Sequence, residues 1–221
     1  MIGVFDSGRG GLAAFFEIRK ALPLQDIAYL ADRENAPYGT KSPERLIRLV
    51  ENDIRRLSEI GAKRILIACC TASTVYGELA EKYRSISIPI VEPTAMAVAE
   101  ATSGHVTVFA TEATVRSEAF SKALGRYSSA EVYEIAAQGL VTLIEEQAPG
   151  GDVFKKVGEL IGKMPKNTDT VVLGCTHFSF AKRIFAELLG PQIRVVDAAA
   201  VGAKSIICES ENVGCGKVLY T

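Results

Sequence analysis

The chain has 221 residues, 48% of them hydrophobic and 23% charged, which places it among folded globular proteins with room for one large domain or two small ones. Lys plus Arg number 25 against 26 for Asp plus Glu, so no basic excess is available to hold a polyanion, and nucleic acid is not an expected partner. The opening MIGVFDSG lacks the basic and apolar regions of a secretory signal, no stretch is apolar enough for a membrane span, and five cysteines at irregular spacing do not form a disulfide framework; a cytoplasmic protein with reduced thiols is expected.

In chain order, short β-rich apolar runs alternate with segments of helical period. IGVF (2–5) is followed by a helical pattern over 11–22, IAYLA (27–31) by a long amphipathic one over 43–61, and RILIA (64–68) by CCTAST. IPIV (88–91) precedes a helical segment over 97–104, VTVFA (106–110) one over 117–125, VYEIA (132–136) one over 153–164, and TVVLG (170–174) one over 180–190 before RVVD (194–197). Uninterrupted apolar strands joined by helices predict parallel sheet covered on both faces, so the class is α/β.

An internal repeat divides the chain. Val4-Phe5-Asp6-Ser7 recurs as Val108-Phe109-Ala110-Thr111 at an offset of 104, and Leu66-Ile67-Ala68-Cys69 recurs as Val172-Leu173-Gly174-Cys175 at an offset of 106. Two strand ends repeating at nearly one spacing predict two similar doubly wound domains, residues 1–92 plus 196–221 and residues 93–195, with the site in the cleft between them.

In such sheets ligands bind beyond the carboxyl ends of the strands, where Asp6, Cys69, Thr111 and Cys175 all fall. Cys69 and Cys175 are each followed by hydroxyls or histidine at a helix start, in CCTAST and CTHFS, surroundings that activate a thiol. Cys208 and Cys215 have no such neighbours and read as small core residues. Zinc bound by Cys69, Cys70, Cys175 and His177 lacks the usual ligand spacing, and a Cys-His hydrolase leaves the second thiol unexplained. Gly8-Arg9-Gly10-Gly11-Leu12-Ala13, with Asp32 further on, satisfies the dinucleotide pattern, but Asp6 puts a carboxylate where a pyrophosphate would approach.

Four segments, Asp6-Ser7-Gly8-Arg9-Gly10-Gly11, Pro37-Tyr38-Gly39-Thr40-Lys41-Ser42, Ala68-Cys69-Cys70-Thr71-Ala72-Ser73 and Gly174-Cys175-Thr176-His177, resemble in order the signature segments of glutamate racemases in the aspartate/glutamate racemase family. Ala113–Ser117, Leu140–Glu145 and the closing Lys217–Thr221 extend the resemblance almost end to end. It implies interconversion of L- and D-glutamate without cofactor or metal, supplying D-glutamate for peptidoglycan, by a cytoplasmic homodimer. It further implies Cys69 and Cys175 as the acid/base pair, Asp6 assisting Cys69, Glu145 and His177 beside Cys175, and substrate contacts from Asp6, Ser7, Tyr38, Gly39, Cys70, Thr71, Thr176 and His177. Two opposed thiols suit the reaction, which removes the α-proton on one face and returns one on the other.

The chain departs from that pattern in three places. Cys70 replaces the asparagine whose side-chain amide binds substrate, Phe178-Ser179 replaces Tyr-Pro, and the segment before Leu140 lacks the usual Cys-Pro. A thiol hydrogen-bonds only weakly, so Cys70 is a poor stand-in for the amide. The reading from another class is a weakly active or inactive homologue that binds an acidic amino acid or a protein partner.

Overall fold

A computed structural model describes residues 1–221 and contains two separate, wholly parallel sheets. The first comprises β1 (Ile2–Asp6), β2 (Ile27–Ala31), β3 (Arg64–Ile67), β4 (Ser87–Pro89) and β9 (Val218–Tyr220), in the order β4-β3-β1-β2-β9. The second comprises β5 (His105–Ala110), β6 (Glu131–Ala136), β7 (Thr170–Gly174) and β8 (Arg194–Asp197), in the order β6-β5-β7-β8. Advancing each of β1 to β4 by four strands converts one order into the other read backwards, so the sequence repeat is a repeat of topology. β1 corresponds to β5 and β3 to β7, which puts Ser7 and Thr111, and likewise Cys69 and Cys175, just past equivalent strand ends, with Asp6 the last residue of β1.

The central strands of each sheet are buried on both faces, as their apolar runs require, while the edge strands β6 and β9 stay partly exposed. One face of the first sheet packs under helix 43–59, which begins at Ser42 with Pro43 in its first turn and directs Leu46, Leu49, Val50, Ile54 and Leu57 into the core. The other face packs under helix 12–21 and, beside it, the returning helix 198–208, which contributes Ala199, Ala203 and Ile206. A further cluster, including Cys70, Ile90, Val98, Val108 and Ala198, joins residues near the first sheet to β5 and β7. No helix is long and apolar enough to cross a membrane.

Several expected boundaries move. The strand expected over 88–91 is Ser87–Pro89, and a helix begins at Val91, because Pro93 falls in a first helical turn where its missing N–H costs nothing. That helix ends at Ala101 rather than running over 97–104. The expected helix over 117–125 is two short ones, Glu112–Ser117 and Ala119–Leu124, because Glu118 adopts a left-handed conformation with φ 53°. Cys208 and Cys215 are exposed rather than core residues, since the segment after helix 198–208 runs over the surface, where the Cys215 N–H donates to Asp26.

Candidate active site

Beyond β3 the chain reaches Ala68 and Cys69, then turns into a helix of one turn, Cys70–Ser73. The Cys69 sulfur accepts from the Ala72 N–H at 3.5 Å and lies 3.3 Å from the Ser7 hydroxyl, which comes from the end of β1. Burial, reinforced by the nearby Asp6 charge, pushes the Cys69 thiol up to about 12 against the opposing hydrogen bond from Ser7.

Beyond β7, Cys175 leads into a 3-10 turn, Thr176–Ala181, rather than the α-helix start expected from the sequence. His177 Nδ1 lies 3.6 Å from Cys175 Sγ, and His177 Nε2 hydrogen-bonds Glu145, the last residue of helix 138–145. Glu145 also accepts from the Arg9 N–H at 3.0 Å. Burial alone would lower the His177 pKa, but the hydrogen bonds to Cys175 and Glu145 outweigh it and hold the group at about 11, as an imidazolium. The same bond from His177 holds the Glu145 carboxyl down at about 2.

Asp6 ties the halves together, accepting from the Gly8 N–H at 2.8 Å and from the Thr176 hydroxyl, carried by the second half, at 3.0 Å. It is completely buried, which raises its pKa, and it stands behind the cavity wall rather than in it. The expected role of Asp6 in touching substrate is therefore not one the arrangement brings to the surface. Gly10 allows this closeness, for a Cβ there would stand 2.3 Å from Thr176 Oγ1 and 2.8 Å from the His177 N–H nitrogen.

Both thiols line one cavity of about 480 Å³, together with Ser7, Tyr38, Gly39, Cys70, Thr71, Thr176 and His177. The volume suits a small-molecule ligand. Thr71 Oγ1 lies 2.8 Å from Thr111 Oγ1, a hydroxyl contact across the halves. Cys70 both lines this cavity and packs into the cluster that joins the halves, and burial pushes its thiol up. The other departures divide. Phe178 and Ala137 are core residues and Ser179 donates to Asp197 at 2.7 Å, whereas Gln138 enters the cavity wall.

Two residues that shape the site, Asp32 and Asp53, are not among the residues the resemblance implies, and Asp32 enters the sequence reading only through the dinucleotide pattern. The Tyr38 hydroxyl lies 2.6 Å from Asp32 Oδ2 and 3.0 Å from Asp53 Oδ2, so two buried carboxyls hold the ring that forms part of the wall. Burial and the Asp32 charge push the Asp53 carboxyl up to about 6. Asp53 had a signal, since it occupies an inward position of helix 43–59 between Val50 and Ile54, where an unpaired charge does not belong.

Other chemistry fits less well. No group of three or more His, Cys, Asp or Glu side chains is arranged to hold a metal ion. In the glycine loop the Gly8 and Arg9 N–H groups are already spent on Asp6 and Glu145, and Gly10 abuts Thr176, so a pyrophosphate finds neither donors nor space. Asp32, the residue a ribose would need, is engaged by Tyr38 and Asn35.

Paired parallel-sheet halves that each bring one thiol to a single cavity define a class of α/β protein whose ligand is reached from both halves. The signature of the Asp/Glu/Hydantoin racemase family matches residues 18–206, and the chain belongs to that family. It is 38% identical over 207 residues to the glutamate racemase of Herpetosiphon aurantiacus, covering 92% of this chain and 82% of the relative. With the glutamate racemase of Geobacter metallireducens it shares 39% over 212 residues, covering 93% and 78%. Among solved structures, a glutamate racemase isoform from Bacillus anthracis superposes with a TM-score of 0.88 at 28% identity, covering 100% of this chain and 86% of that one. The Francisella tularensis glutamate racemase in complex with D-glutamate gives 0.87 at 28% identity, covering 99% and 86%.

Proposed function

We propose that this protein interconverts L- and D-glutamate without a cofactor, with Cys69 and Cys175 as the two acid/base groups. The observation that carries the reading is that the two thiols follow equivalent strands of the two halves and line one cavity. In one direction the Cys175 thiolate takes the α-proton while the Cys69 thiol delivers its own proton to the opposite face, leaving a thiol at 175 and a thiolate at 69. The reverse direction starts from that second state. Asp6 assists Cys69 by its charge and anchors Thr176 beside Cys175, whereas Glu145 holds His177 as a cation against Cys175. Ser7, Tyr38, Gly39, Cys70, Thr71, Thr176 and His177 are the substrate-lining set, and the hydroxyls of Ser7 and Thr71 stabilise charge developing on the carboxylate, while that of Thr176 is given to Asp6.

The division into residues 1–92 plus 196–221 and residues 93–195 fits this reading, because each part brings one thiol. From the resemblance, the enzyme works in the cytoplasm as a homodimer, and D-glutamate is supplied to peptidoglycan. Light scattering on the pure protein measures the assembly.

The test of function is incubation of each glutamate enantiomer with pure protein in D2O. Optical rotation should decay to zero while the α-proton signal disappears. The competing reading of an inactive homologue draws on Cys70, and absence of α-proton exchange from both enantiomers would decide for it.

A further inference from the structure

Three buried groups behind the cavity wall compete for one hydrogen. Tyr38 Oη lies 2.6 Å from Asp32 Oδ2 and 3.0 Å from Asp53 Oδ2. A phenol hydroxyl carries a single hydrogen, so it donates to one carboxylate at a time. Asp32 is the nearer and has a second donor in Asn35 Nδ2 at 3.0 Å, so it takes the Tyr38 hydrogen. The Asp53 contact is then a hydrogen bond only when Asp53 carries a proton of its own and donates it to Tyr38 Oη. An ionised Asp53 sets lone pair against lone pair and stands beside a second carboxyl. Arg56 Nη1, 3.2 Å from Asp53 Oδ1, offsets this only in part, because its side chain is 40% exposed and screened by water. The remaining titratable group close to Tyr38 is Cys69, a neutral thiol over the ordinary pH range.

What this contact holds is a piece of the site. Tyr38 opens the 3-10 turn Tyr38–Thr40, and Tyr38 and Gly39 both line the cavity. The turn has no slack toward the second half, since a Cβ on Gly39 would stand 2.4 Å from Gln138 Oε1 and 3.0 Å from Thr111 Cβ. A shift of the Tyr38 ring therefore changes both the wall facing the thiols and the fit of the two halves. We infer that Asp53 is a positioning residue for substrate binding: protonated, it donates to Tyr38 and locks the turn Tyr38–Thr40 in its substrate-binding place, and ionised, it releases that turn. Substrate must in return favour the protonated form of Asp53, because coupling between two binding events is reciprocal. The inference rests on the reading of the cavity as a glutamate site.

The test is the pH profile of KM between about pH 5 and 7.5, a window that spans the Asp53 carboxyl at about 6. Glu145, His177 and Cys69 lie outside it at about 2, 11 and 12, and the side-chain carboxyl of free glutamate lies below it at about 4.3. Wild-type KM should rise through pH 6 by roughly two- to tenfold, the worth of one hydrogen bond. Asp53→Asn mimics the protonated form at every pH, its amide N–H donating to Tyr38 while its oxygen accepts from Arg56. Its KM should be flat at the wild-type acid value. Asp53→Leu, which has no donor, should be flat at the wild-type alkaline value or above it. A residue that only stabilises the fold gives no such pair of levels.

A wild-type KM that does not change through pH 6 would overturn the inference, and so would an inflection that persists in Asp53→Asn, since it would belong to another group. If Asp53→Leu fails to fold, Asp53→Asn decides alone. Absence of glutamate turnover strikes the proposed function instead, and dissociation constants for glutamate from calorimetry then replace KM in the same comparison. A ligand-free measurement completes it: in protein labelled with 13C-tyrosine, the Tyr38 Cζ resonance, assigned with Tyr38→Phe, should titrate near pH 6 in wild type and stay still in Asp53→Asn. A resonance that stays still in both also overturns the inference, whatever the protein binds.

Discussion

Cys70→Asn probes the position where this chain departs most sharply from its relatives, and the structure sets two opposing effects. Cys70 is 2% exposed and packs with Ile90, Val91 and Ala198 while also lining the cavity. An asparagine there has no protein partner in the free enzyme, and an unsatisfied buried amide costs about 1 to 3 kcal/mol. At roughly 2 to 4 °C per kcal/mol for a protein of this size, the melting temperature of the free variant should fall by about 2 to 12 °C. Once glutamate is bound the amide gains a charged partner, a bond of about 1.5 to 3 kcal/mol, or roughly ten- to hundredfold in KM. Saturating glutamate should therefore restore much of the lost melting temperature. If the bond forms only in the transition state, kcat should rise instead. Polarimetric kinetics and thermal melts with and without glutamate measure all of this. A destabilised variant with unchanged kinetics, not rescued by glutamate, would refute the argument and leave Cys70 as a core residue.

Cys69→Ser and Cys175→Ser should each abolish racemisation while glutamate binding by calorimetry persists, because an alcohol is a far weaker base than a thiolate; near-wild-type turnover in either sinks the two-thiol mechanism. Asp53→Asn should gain stability relative to wild type as pH rises from 4 to 7. The folded pKa of about 6 lies above the ordinary 3.8, so the wild-type contribution is complete below 3.8 and lost as pH passes 6, a difference of about 3 kcal/mol. Parallel pH-dependent melting curves for the two proteins would contradict it. Gly10→Ala places a methyl 2.3 Å from Thr176 Oγ1 and 2.8 Å from the His177 backbone nitrogen, and should cost about 1 to 3 kcal/mol together with most of the turnover. A wild-type rate would mean that the loop yields without moving Cys175 and His177.

Residues whose role follows from their place at a strand end were legible in the sequence. Apolar runs stopping at Ala68-Cys69 and Gly174-Cys175, at nearly one offset from the runs ending in Asp6 and Ala110, locate two equivalent strand termini, and both thiols stand there. Helix 198–208 was missed because a helix apolar nearly all round, AAAVGAKSIIC, has no polar face to set its period, and it finds its place only when Ala199, Ala203 and Ile206 meet helix 12–21. The break at Glu118 lacked the glycine that usually announces one. Asp53 was readable in principle, as the one carboxylate in an inward row with Arg56 a turn further on, but Tyr38, which ties it to the site, comes from another segment. The proposed acid/base pair lies at strand ends that the sequence repeats, whereas the wall around it depends on residues such as Gly39 and Thr111 that meet only when the two halves pack together.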